Sequence, residues 1–88
     1  RMKVENMTSA KGNKVANQFV ITDSKEEYFQ SYRSIIVKKS QDKIYLDEYF
    51  WDYSITTGKY RNDFLGEGIA ETRAKIKSGE YILMNLNN

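Results

Sequence analysis

The stretch from Tyr45 to Leu65 reads YLDEYFWDYSITTGKYRNDFL, and its reading decides the fold. It holds seven of the chain's twelve aromatic residues: Tyr45, Tyr49, Phe50, Trp51, Tyr53, Tyr60 and Phe64. A large ring removes about 150–250 Å² from water when buried, so no other segment can supply as much of a core. The pattern changes character along its length. Ile44 to Glu48 alternates, with Ile44 and Leu46 on one side and Tyr45 and Asp47 on the other, which predicts a strand. After Tyr53 the spacing becomes helical. Ser54 suits an N-cap, with Thr56 or Thr57 as later starts. Tyr60 and Phe64 lie four residues apart and share a helix face, and Gly66 suits the left-handed position that ends many helices. Gly58 costs roughly 1 kcal/mol relative to alanine, so this helix needs tertiary packing. Read as strand, the consecutive aromatics divide between two faces. Phe50, Trp51 and Phe64 are read as core because large apolar rings dominate interiors, while Tyr49 and Tyr53 share the parity of Trp51, on a face expected to be partly wet.

Working outward, Ile69 to Lys77 predicts a second short helix, with Lys75 and Lys77 opposing the dipole in its last turn and Ser78-Gly79 ending it. Tyr81 to Met84 reads as a closing strand, and the asparagines after it are expected to fray. Upstream, Val15 to Thr22 is a firm strand with Val15, Phe19 and Ile21 on one side and Ala16, Gln18, Val20 and Thr22 on the other. Asp23 to Glu26 reads as a hairpin loop. Glu27 to Val37 is the next strand, with its alternation disturbed at Arg33-Ser34 by a bulge or a break into two strands. Lys38 to Lys43 is a polar turn. Lys3 to Met7 is a weaker strand, followed by a turn around Gly12 and Asn13. Short polar loops imply an antiparallel meander. The fold class is therefore α+β: a mostly antiparallel four- to five-stranded sheet with two short helices packed on one face.

The 88 residues make a single domain, 1–88, with no repeat or linker. There is no histidine, cysteine or proline. The usual general base, thiolate nucleophile and soft metal ligands are thus missing, and the chain reads as no enzyme, with no cofactor and no metal site. The carboxylates Asp47, Glu48 and Asp52 could suggest a divalent cation, but no glycine-centred loop surrounds them, and solvated carboxylates at a strand end are the simpler reading. Net charge is +2 with both signs interspersed, unlike the basic footprint of a DNA-binding domain. No run is long and apolar enough for a membrane span and no signal peptide is visible, so the expected location is cytoplasmic with no membrane partner. Arg1 ahead of Met2 reads as a vector remnant or processed end.

Two surfaces are candidates for binding. Tyr28, Tyr32, Arg33 and Tyr49 combine the residue types enriched at protein interfaces, and Tyr28, Tyr32 and Tyr45 are expected to pair across strands. Alternatively, Tyr49 and Tyr53 could stack on bases while Lys59 and Arg61 contact phosphates, the combination that holds single-stranded nucleic acid. A free edge strand would allow a homodimer as well as a monomer.

Several segments resemble a family of small uncharacterised proteins of phages and prophages of low-GC Gram-positive bacteria. These are Asn17-Gln18-Phe19, Tyr28 to Tyr32, Leu46 to Ser54, Thr56-Thr57, Lys59-Tyr60-Arg61, Phe64-Leu65-Gly66 and Lys75 to Tyr81. The resemblance spans nearly the whole chain and supplies no catalytic residues. It implies a phage-encoded protein made in the cytoplasm of a bacterial host cell. Joined to the residue reading, it points to a non-enzymatic accessory protein that binds a host or phage protein, inhibition of a host defence system or host enzyme being one such role.

Overall fold

A computed structural model describes residues 2–88; Arg1 lies outside the described residues. The elements in chain order are β1 (Met2–Thr8), β2 (Lys14–Asp23), β3 (Glu26–Ser31), β4 (Ser34–Lys39), β5 (Ile44–Asp47), α1 (Ile55–Leu65), α2 (Ile69–Ser78) and β6 (Tyr81–Met84). They form one six-stranded sheet in the order β1-β2-β3-β4-β5-β6. The first five strands run as an antiparallel meander, and β6 joins β5 in parallel. A parallel neighbour needs a long crossover, and α1 and α2 together provide it. The fold is α+β, as the patterning predicts.

The sheet has six strands rather than four or five, because the stretch read as Glu27 to Val37 is a hairpin. Tyr32 takes φ +57 and, with Arg33, turns the chain between the paired residues Ser31 and Ser34. Past the turn, the register slips between Phe29 and Gln30, which face Val37 and Ile35. Ile36 is the extra residue, and this bulge lets Ile36 and Val37 both be buried although they are consecutive. A second irregularity sits in β2. Asn17 has φ +65, which shifts the side-chain alternation. Val15 therefore packs toward the core with Val20, not beside Phe19 and Ile21 as simple alternation predicts.

Both helices cover the same face. Phe64 of α1 stacks on Phe29 with ring centroids 5.9 Å apart. Cross-strand partners share a face, so Val20, Phe29, Val37 and Leu46 lie beneath the helices. The core is Phe29, Ile36, Val37, Leu46, Tyr60, Phe64 and Tyr81, with Phe50 and Trp51 half-buried against it. The opposite face has no helix over it. It carries Phe19, Ile21, Tyr28, Ile35, Tyr45 and Ile82, all half-exposed.

The helix ends follow the sequence rules. Ser54 accepts a hydrogen bond from the Thr57 amide at 3.1 Å, and Gly66 closes α1 at φ +71. Lys39 donates from Nζ to the Phe64 carbonyl at 2.9 Å, satisfying an otherwise orphaned group in the last turn. The C-terminal asparagines, expected to fray, are hydrogen-bonded in the structure. Asn87 bonds both the amide and the carbonyl of Ile35, at 2.7 and 3.1 Å, and so adds to the free side of β4 beyond the end of β5.

Candidate functional site

Asp47 positions the aromatic segment. Its carboxylate accepts four hydrogen bonds: from the amides of Tyr49 and Phe50 on one oxygen, and from the Leu86 amide and the Asn87 side chain on the other. Only 2% of it is exposed. Desolvation pushes its pKa up, but the four donors outweigh that, and it lies below the usual aspartate value. This corrects the reading of Asp47 as a solvated carboxylate. With Asp47 gripping the amides of Tyr49 and Phe50, Glu48 to Asp52 forms turns, not strand. Tyr49 and Tyr53 then point outward, 73% and 64% exposed, while Phe50 and Trp51 face inward. Phe50 meets Tyr49 edge-on at 4.7 Å and Tyr53 at 5.2 Å, so the three rings form one cluster.

Beside this cluster is a cleft of about 410 Å³ between the β3–β4 turn and the N-terminus of α1. Its rim is Tyr32, Arg33 and Tyr53, and its floor includes Ile36, Phe50 and the hydroxyls of Ser31 and Thr57. Ser31 and Thr57 share a hydrogen bond at 3.0 Å, and Ser54 donates to Thr57 at 3.1 Å. Tyr32 is 53% exposed because the positive φ of the turn swings it off the sheet. Arg33 is exposed beside it and is the one charged residue among those lining the cleft.

The structure thus brings together Tyr32 and Arg33, with Tyr49 next to them through Phe50 and Tyr53. Tyr28 is not part of this group. It stands on the helix-free face, flanked in register by Ile21 and Lys38, and donates to Glu26 at 2.7 Å. That bond raises the Tyr28 pKa and lowers that of Glu26. Nor do Tyr28, Tyr32 and Tyr45 form cross-strand pairs: Lys38 sits between Tyr28 and Tyr45, and Tyr32 is in the turn.

The nucleic-acid constellation also separates. Arg61 is 1% exposed. It donates to the Trp51 carbonyl at 2.8 Å, to Asp52 at 3.1 Å and to Asn62 at 3.0 Å, and its guanidinium lies 5.4 Å from the centre of the Trp51 ring. A guanidinium used in this way ties α1 to the aromatic turn and offers no fork to a phosphate. Asp52 is further paired with Arg73 at 3.6 Å. Lys59 is exposed, near the ring of Tyr60 on α1.

Sequence reasoning missed one further polar cluster. Glu67, between the helices, accepts from Lys75 at 2.7 Å, Tyr81 at 2.9 Å and Thr72 at 2.7 Å. Burial raises its pKa, but these donors hold it below the ordinary glutamate value, and Lys75 is pushed up in turn by the bond to Glu67. With every partner already engaged, the cluster fastens α2 to β6. The single signal in the sequence was a glutamate between Gly66 and Gly68, eight residues ahead of Lys75.

Residues 2–82 match the model of a family of unknown function, DUF8033, and the chain belongs to that family. No curated protein and no solved structure matches the chain. Among the described residues, no helix is long and apolar enough to cross a membrane.

Proposed function

We propose that the protein is a non-enzymatic, phage-encoded binding module that acts in the cytoplasm of a bacterial host and holds a segment of a host or phage protein against the cleft between the β3–β4 turn and α1. The observation that carries this reading is the rim. Tyr32, Arg33 and Tyr53 stand exposed around an apolar floor of Ile36 and Phe50, with Tyr49 alongside. Tyrosine and arginine around a pocket are the chemistry of interface hot spots: flat area, one polar tip each, and a fork for a carboxylate. The hydroxyls of Ser31 and Thr57 are bonded to each other and nearly fully buried, so the polar contacts to a peptide fall to the rim. The sequence resemblance to phage and prophage proteins supports the setting, and inhibition of a host defence protein or enzyme is the role it suggests. The nucleic-acid alternative loses support with Arg61, which is buried with both Nη groups bonded inside the protein.

A photo-crosslinking amino acid placed in turn at Tyr32, Tyr53 and Ile55 tests this in infected host cells. Ile55 is exposed but lies outside the cleft lining. The expected result is one and the same protein adduct from positions 32 and 53, absent from position 55 and lost with Arg33→Glu. No adduct from either cleft position, or equal labelling at position 55, would overturn the proposal.

A further inference from the structure

Strand β1 is an open edge. It pairs with β2 along one side, and among the described residues no strand lies along the other. Its regular part runs from Met2 to Asn6, where each residue faces one partner in β2, before the register breaks between Asn6 and Thr8. A row of free amides and carbonyls along such an edge will pair with another chain unless it is blunted; of the features that can blunt β1, the register break lies beyond its regular part, and the helix-side charges Lys3 and Glu5 are of opposite sign. Here Met2 to Glu5 is exposed throughout, and Val4, a β-branched residue, is 54% exposed. The helices pack over β3 and β6, leaving room beside β1.

The side chains along this edge suit a copy of themselves. Lys3 and Glu5 face Thr22 and Val20, on the helix side, and their charged ends are 3.6 Å apart. Val4 faces Ile21 on the helix-free side. In a two-fold antiparallel pairing, residues directly opposite must share a face, which excludes any register that sets Lys3 against Val4. A two-fold axis through Lys3 would place lysine on lysine, and one through Glu5 would place glutamate on glutamate. An axis through Val4 sets Lys3 opposite Glu5 of the second copy, Glu5 opposite its Lys3, Val4 opposite Val4, and Met2 opposite Asn6. That register makes two opposite-charge pairs and one β-branched pair, each favourable across strands.

We infer that β1 pairs with β1 of a second copy of this chain, antiparallel and centred on Val4, so that two six-stranded sheets become one continuous sheet with the helices of both copies on the same side. The helix-free faces also join, through Ile21 and Val4 of each copy.

Sedimentation equilibrium over a concentration series tests the inference. The wild-type chain is expected to dimerise reversibly. Lys3→Glu and Glu5→Lys, each alone, set like charges opposite one another twice and are expected to weaken the dimer by about tenfold or more. An equimolar mixture of these two variants restores both pairs between unlike chains, and is expected to recover the wild-type affinity as a heterodimer. Recovery between chains cannot arise from any effect within one chain. Three results would each overturn the inference: a wild-type chain monomeric up to roughly 1 mM, a dimer indifferent to the single variants, or a mixture that stays monomeric.

Discussion

Asp47 shows how much one carboxylate can organise. It is the last residue of β5, and its four hydrogen bonds reach forward to Tyr49 and Phe50 and across to Leu86 and Asn87. The turn that presents Tyr49 and Tyr53 and the tail that extends along β4 both depend on it. Asp47→Asn replaces one acceptor oxygen by an NH2 that faces amide donors. The expected cost is about 2–3 kcal/mol, read as a fall in Tm of roughly 10 °C or more in thermal unfolding. The pH dependence follows from the sign of the shift. The folded pKa of Asp47 lies below its ordinary 3.8, so its contribution is complete above that value and is lost as pH falls through the lower folded value. Glu67, also lowered from 4.5, adds a loss of the same sign. Wild-type stability is therefore expected to fall on acidification below about pH 4.5, the ordinary glutamate value, and Asp47→Asn to fall less steeply. A parallel loss in both proteins would refute the assignment.

At the scale of elements, α1 was legible in its caps and in only half of its inner face. Ser54 and Gly66 announce its ends, and Tyr60 with Phe64 announces its buried stripe. The same stripe contains Thr57 and Arg61, which look like surface residues in any polarity pattern. Their burial depends on partners far along the chain: Ser31 for Thr57, and Trp51 and Asp52 for Arg61. No local spacing reveals such partners. The strands show the same divide. Alternation located β2 and β5, but the positive φ of Tyr32 and Asn17 changes which face a residue takes, and neither is a glycine that would have signalled it. The cleft was consequently half legible: Tyr32, Arg33 and Tyr53 were candidates, while Phe50 and the hydroxyl floor emerge with the turn geometry. Gly58 remains a weak point of α1. A Cβ built there would meet Arg61 Nη2 at 3.6 Å, ordinary contact. Gly58→Ala is thus expected to stabilise the domain by up to about 1 kcal/mol through helix propensity, raising Tm by several degrees. A lower Tm would mean that the Arg61 arrangement cannot tolerate even this contact.

At the scale of the molecule, the layers are unequal. Helices cover one face of the sheet, and the six half-exposed apolar and aromatic residues of the other face it uncovered. Phe29 and Phe19 make the asymmetry measurable, since they are the same residue type on neighbouring strands and opposite faces. Phe29 is fully buried and stacked on Phe64, whereas Phe19 is half-exposed opposite Gln30. Deleting a buried phenylalanine ring costs about 3–5 kcal/mol, since the cavity it leaves cannot fully collapse. A domain of this size has a total of roughly 5–10 kcal/mol to lose. Phe29→Ala is therefore expected to lose roughly a third or more of that total, with a urea midpoint far below the wild-type one. Phe19→Ala removes a ring that water already reaches, and about 1 kcal/mol is the expected loss. Equal midpoints for the two variants would show that something covers the helix-free face in solution, and it would have to be a contact other than β1 pairing, which extends the sheet in its own plane and leaves that face open.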